Sequence, residues 1–86
     1  MPNAHAFPTI HRFRRIDAAR NMARFYLLSL EPTLFGEVAV LAHWGRIGTR
    51  GRQALSLHAT LAEAEAVLAR QIARRRKRGY AALTTA

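Results

Sequence analysis

Trp44-Gly45-Arg46-Ile47-Gly48, followed by Thr49-Arg50-Gly51-Arg52, gathers the single tryptophan of the chain with three arginines and three glycines. These residue types share one chemistry. An indole face stacks on a sugar or a base, and guanidinium groups hold phosphates through paired hydrogen bonds. Glycines let backbone N–H groups approach an anion with no Cβ in the way. Arg46, Arg50 and Arg52 alternate, so an extended backbone would set them on one side. No acid between Glu37 and Glu63 neutralises them. The bland alternative is a solvated hairpin with ordinary surface charge. A sole tryptophan also commonly serves as core. Here its place between a strand and an Arg/Gly loop points to partial exposure at the rim of a site.

The spacing Gly45-x-x-Gly48-x-x-Gly51 lacks the Lys-Ser/Thr and the helix start of a nucleotide-binding P-loop, and it is not a dinucleotide fingerprint. The glycines suit a tight hairpin, with close approach to phosphate as a secondary use. A second basic cluster, Arg74 to Lys77 and Arg78, falls at the end of a helical pattern. A helix dipole favours each cation there by about 0.3–1 kcal/mol at most. That accounts for one or two cations, not the whole run, and Arg70/Arg74 and Arg74/Arg78 repel at i,i+4. Arg70, Arg74, Lys77 and Arg78 therefore join Trp44, Gly45, Arg46, Gly48, Arg50 and Arg52 as candidate nucleic-acid-binding residues. A solvated face remains the competing reading of the helix end.

Composition supports that partner class. The chain has 86 residues, enough for one domain and one small core. Half of the residues are hydrophobic, so it should fold. Fourteen Lys+Arg against five Asp+Glu give a formal net charge of +9, and all the cations but Lys77 are arginine. Arginine bias suits planar, bidentate phosphate recognition. Nucleic acid leads on charge, ahead of an acidic protein or an anionic membrane. With no cysteine, disulfides and thiolate metal sites are excluded. His5, His11, His43 and His58 have no metal-ligand spacing, so no metal or cofactor is expected. No Ser/His/Asp arrangement can be argued from spacing and acids are few, which reads as a non-enzyme without a small-molecule substrate. No signal-peptide pattern or apolar run long enough for a membrane is visible, so cytoplasm is the default expectation and no membrane contact is expected.

The elements that must position these residues follow from periodicity. Residues 1–9, with Pro2 and Pro8, read as a loose arm before a single domain spanning 10–86. Ile10–Asp17 is a short arginine-rich strand. Ala23–Glu31 is the strongest strand pattern, stopped by Pro32. Thr33–Gly36 turns the chain, Glu37–Trp44 returns, Gly45–Gly51 loops, and Arg52–His58 forms a fourth strand with Leu55 and Leu57 on one face. Thr60-Leu61-Ala62-Glu63 then has the form of a capping box. A helix runs from Leu61 to Arg78, with Gly79 placed as its left-handed C′ residue. Leu61, Ala64, Leu68 and Ile72 line its apolar stripe, and Glu63, Arg70, Arg74 and Lys77 the opposite face. Arg75 continues the apolar stripe, so it points inward to a pairing partner, a carbonyl or an acid, in preference to a ligand. The expected class is α+β: a small antiparallel sheet of about four strands with one C-terminal amphipathic helix packed on it.

From Asn21 to Tyr80 the chain resembles the WGR domain family. Asn21-x-x-Arg24-Phe25-Tyr26 opens the first matching strand, and Leu34-Phe35-Gly36-Glu37 is a turn typical of small bacterial members. Trp44-Gly45-Arg46-Ile47-Gly48 with Gly51 is the signature, and the helix ends in Arg75-Arg76-Lys77-Arg78-Gly79-Tyr80 like the basic family ending before Gly-Tyr. The family includes modules of DNA-dependent poly(ADP-ribose) polymerases, of bacterial proteins described as molybdate metabolism regulators, and short stand-alone proteins. In the polymerases the module binds DNA near a strand break: the motif tryptophan packs on a terminal sugar and basic groups contact the backbone near the 5′ end. The resemblance implies a stacking role for Trp44. It implies a phosphate contact or an interdomain brace for Arg46. These residues hold no catalytic domain, zinc fingers or regulatory helical domain, so the resemblance supports nucleic-acid binding more strongly than break signalling. The resulting expectation is a module for DNA in preference to RNA, with ends or nicks favoured. The alternative is a protein-interaction module whose basic face docks an acidic partner or a nucleic-acid-processing enzyme.

Overall fold

A computed structural model describes residues 10–83. Strands β1 (Ile10–Asp17), β2 (Met22–Pro32), β3 (Val38–Arg46) and β4 (Arg52–His58) precede helix α1 (Leu61–Lys77) and a two-residue strand β5 (Ala81–Ala82). The sheet order is β4-β3-β2-β1-β5, and every pairing is antiparallel. The α+β class and the single helix on the sheet are as the sequence predicts.

Strand period decides what the sheet buries. Phe13 pairs with Tyr26 and Tyr26 with Trp44, so these three stand on the face that α1 covers. Phe13, Tyr26 and Leu28 are buried there, with Trp44, Leu68, Ile72 and Tyr80 packed against them. A second cluster joins Val38, Val40 and Ala64, with Leu30 and Val67 beside it. Leu28 is fully buried, which stabilises by about 1.5–3 kcal/mol for a side chain of that size.

Several bounds differ from the sequence expectation. Pro32 ends β2 as its last residue instead of stopping the strand before it, since Pro is tolerated where no ladder N–H is needed. β3 extends through Gly45 to Arg46, so Trp44 and Gly45 lie within a strand and only the Ile47–Gly51 segment connects β3 to β4. The glycines explain the close passage. A Cβ on Gly45 would stand 2.7 Å from the Gly51 Cα, and one on Gly51 would collide with the Trp44 carbonyl oxygen. Leu55 and Leu57 do share a face, but they are 58% and 51% exposed because α1 packs on the other side of the sheet. Leu61, at the start of the apolar stripe, is also exposed.

The helix ends are specified locally. Thr60 Oγ1 accepts from the Glu63 N–H at 3.1 Å, and the Glu63 carboxylate accepts from the Ala59 N–H at 3.2 Å. At the other end, Tyr80 N–H donates to the Arg75 carbonyl at 3.0 Å and Gly79 N–H to the Arg76 carbonyl at 3.0 Å. This is a Schellman closure with Gly79 at φ 88°. It turns the chain back so that Ala81–Ala82 pairs with β1, a strand the sequence did not announce. Gly79→Ala forces a left-handed alanine and brings its Cβ to 3.3 Å from Arg15 Nε. A loss of about 1–2 kcal/mol is expected in urea denaturation.

Candidate nucleic-acid interface

Register assembles a basic row from three strands. Arg15 pairs with Arg24, and Arg24 with Arg46, on the face that carries α1. The next row on that face is Phe13, Tyr26, Trp44 and Arg52. Like charges side by side across strands are unfavourable unless something anionic meets them. The C-terminal turn of α1 and Tyr80 close over these rows. The result is a cleft of about 300 Å³ lined by Arg15, Arg24, Tyr26, Trp44, Arg75, Arg78 and Tyr80. Three aromatic rings and four guanidinium groups thus meet in one hollow, and no acid lines it.

The aromatic part is ordered by stacking. Trp44 lies on Tyr26 with ring centroids 5.7 Å apart and planes 16° apart. Tyr80 meets Tyr26 edge to face at 6.0 Å. Trp44 is half-buried, placed at the rim of the cleft.

Arg75 is the residue whose role differs most from the sequence expectation. It points inward, as its helical position predicts, and is only 8% exposed. Its partners are neither carbonyls nor an acid. The guanidinium carbon sits 4.3 Å from the Tyr26 ring centroid and 5.6 Å from that of Tyr80. Cation–π contact is stronger when the cation is desolvated. Its Nε is buried without a hydrogen-bond partner. Among the described residues the one ion pair, Arg20 with Asp17 at 3.6 Å, lies outside this cleft.

The other expected site residues fall into four groups. Trp44 and Arg78 line the cleft. Arg46 is turned aside: it donates to the Asn21 carbonyl at 3.1 Å and to the Asn21 Oδ1 at 3.3 Å. Asn21 can receive both because it adopts the left-handed conformation, φ 52°. Gly45 and Gly48 shape the hairpin, while Arg50 is exposed in the turn and Arg52 exposed on β4. The Arg50 carbonyl is bonded by His43 Nε2 at 2.7 Å, which fixes the turn against β3. Arg46, Arg50 and Arg52 therefore occupy two strands and a turn, not one side of a single extended run. Arg70, Arg74 and Lys77 stay on the exposed face of α1 and do not line the cleft.

Sequence reasoning passed over Arg15 and Tyr80 as ligand contacts, and gave Arg24 and Tyr26 only as family landmarks. A signal was present. Phe13 and Arg15 share a face by strand period, as do Arg24, Tyr26 and Leu28, so the inward aromatics carry arginines with them.

Among the described residues no three His, Cys, Asp or Glu gather as metal ligands, and no helix is long and apolar enough to cross a membrane. The WGR domain model matches residues 10–86. The uncharacterized protein y4dW of Sinorhizobium fredii is 42% identical over 66 residues, covering 77% of this chain and 32% of that protein. The crystal structure of a Bacteroides fragilis protein superposes with a TM-score of 0.70 at 22% identity, covering 88% of this chain and 20% of the other. That likeness shows a shared fold. The chain thus spans about a third of the relative and a fifth of the solved chain. With the signature residues set around a basic, aromatic cleft and the family model matching nearly throughout, the chain belongs to the WGR domain family, a recognised family of nucleic-acid-binding modules.

Proposed function

We propose that the protein is a non-enzymatic DNA-binding module that prefers strand ends or nicks to uninterrupted duplex. One observation carries the reading: Arg15, Arg24, Arg75 and Arg78 converge with Tyr26, Trp44 and Tyr80 on a single cleft without an acid. Phosphate oxygens would satisfy the exposed guanidinium donors, and a terminal sugar or base would cover the free part of the Trp44 ring. A duplex interior offers phosphates but hides sugar faces and bases, so an end fits the cleft better. Arg50, Arg52, Arg70, Arg74 and Lys77 widen the basic surface and add backbone contacts outside the cleft. Arg46 braces the Asn21 turn. Among the described residues no element presents side chains for major-groove reading, so base specificity is weak.

A salt titration tests the reading. If about five phosphates are neutralised, log K falls with log salt at a slope near −4.5. Fluorescence anisotropy of a labelled duplex measures it. A slope near zero, or no binding to bare duplex at low salt, contradicts the proposal and favours docking to an acidic protein.

A further inference from the structure

The turn joining β2 to β3 exposes the two most accessible large hydrophobic side chains among the described residues: Leu34 is 96% and Phe35 87% exposed. Hairpin tips favour small and polar residues for conformational reasons, and neither leucine nor phenylalanine supplies them. The turn is nonetheless held in one shape. Thr33 donates to the Glu37 carbonyl from its N–H at 3.1 Å and from its Oγ1 at 3.0 Å. The Phe35 N–H donates to Thr33 Oγ1 at 3.3 Å, and Gly36 takes φ 86°. The backbone of a turn fixed in this way has little ordering entropy left to lose on binding, so the cost falls on the two side chains alone.

Charge says what covers it. Glu31 and Glu37 bracket the turn, and Glu63 and Glu65 lie in the first turns of α1, whose Ala64 packs on Val38 and Val40 just past it. Four of the five acids therefore lie at this end of the sheet, while Asp17 pairs with Met22 at the other. The cleft is built by the opposite ends of β3 and α1. Nucleic acid and anionic lipid are both repelled from the acidic end. Two such tips repel each other as well. A basic surface with apolar side chains is attracted.

We propose that the Leu34–Phe35 tip is a docking knob for a basic amphipathic segment of a partner protein. Leu34 and Phe35 insert between its apolar side chains, and Glu31 and Glu37 meet its Lys or Arg. Because the knob and the cleft occupy opposite ends, partner and nucleic acid bind together, and the module acts as an adaptor.

The test uses a random peptide library displayed on phage, selected on the full chain and counter-selected on a Leu34→Ser, Phe35→Ser variant. That variant keeps its thermal midpoint because both side chains are solvent-exposed. The expected peptides combine large apolar residues with Lys or Arg and bind the variant about tenfold more weakly. They also weaken with Glu31→Gln, Glu37→Gln, and shift the amide resonances of Thr33 to Glu37. Duplex binding by the charge-neutral Leu34→Ser, Phe35→Ser variant stays unchanged, so failure here is separable from failure of the DNA reading. The proposal is overturned if no peptide discriminates, or if the discriminating peptides are acidic. It is equally overturned by tip-dependent flotation with anionic or zwitterionic vesicles, or by tip-dependent self-association in sedimentation velocity.

Discussion

An Arg24→Glu, Arg78→Glu double variant is expected to bind a 5′-phosphorylated duplex at least about a hundredfold more weakly than the parent chain at moderate salt. Both side chains line the cleft, yet both residues are exposed, so the change spares the core. A hydrogen bond to a charged group contributes about 1.5–3 kcal/mol. Loss of two such contacts gives about 3 kcal/mol or more, and the new carboxylates add repulsion. The control is Arg70→Glu, Lys77→Glu on the outer face of α1, which alters net charge equally. Those residues lie outside the cleft, so only about tenfold is expected, from the weakened field and the loss of peripheral backbone contacts. Equal losses in isothermal titration of the two variants would mean that net charge, not the cleft, governs binding.

Arg75→Ala has the largest expected effect on stability. The substitution removes a desolvated cation stacked on Tyr26 and Tyr80 and the packing of its buried stem. A desolvated cation–π contact contributes about 2 kcal/mol. A domain of this size shifts its thermal midpoint by roughly 4–8 °C per kcal/mol, so calorimetry should show a fall of about 10 °C. Arg75→Met separates the stem from the charge. It keeps an unbranched apolar stem against the tyrosines, so it should lose less stability than alanine while still weakening duplex binding. An Arg75→Met variant with unchanged affinity would make Arg75 purely structural. An Arg75→Ala variant as stable as the parent would deny the aromatic stack its role in closing the cleft.

The fold was legible because each element carries its own period and its own stops. β1 and β4 follow their sequence patterns end for end, and the Thr60–Glu63 cap and Gly79 mark the helix termini. β5 was not legible: Ala81-Ala82 has no strand pattern of its own. It pairs because the Gly79 turn delivers it to β1, where the Leu83 N–H also reaches the Arg12 carbonyl at 2.8 Å. The N-terminal arm, residues 1–9, lies outside the described residues.

The candidate site was half legible for a related reason. Trp44 and Arg78 stand out by residue type and local setting. Arg15 and Arg24 become neighbours only through the register that sets Ile10 opposite Ser29, and spacing along the chain does not fix that register. Helical period gave Arg75 its inward direction, whereas its partners are tyrosines from β2 and from beyond the helix end. The Arg/Gly loop looked like the centre of the site. In the fold it is a hairpin whose Gly51 passes close to the Trp44 carbonyl, while Arg46 turns to Asn21.

Because Trp44 is the single tryptophan, its fluorescence reports on the cleft directly. Titration with a 5′-phosphorylated blunt duplex and with a closed dumbbell of the same sequence, at low and moderate salt, tests the central claim. The account predicts strong Trp44 quenching by the open end and clear preference for it over the dumbbell. Equal, steeply salt-sensitive binding of the two, with no Trp44 response, would contradict it and leave a basic surface without an end-binding cleft.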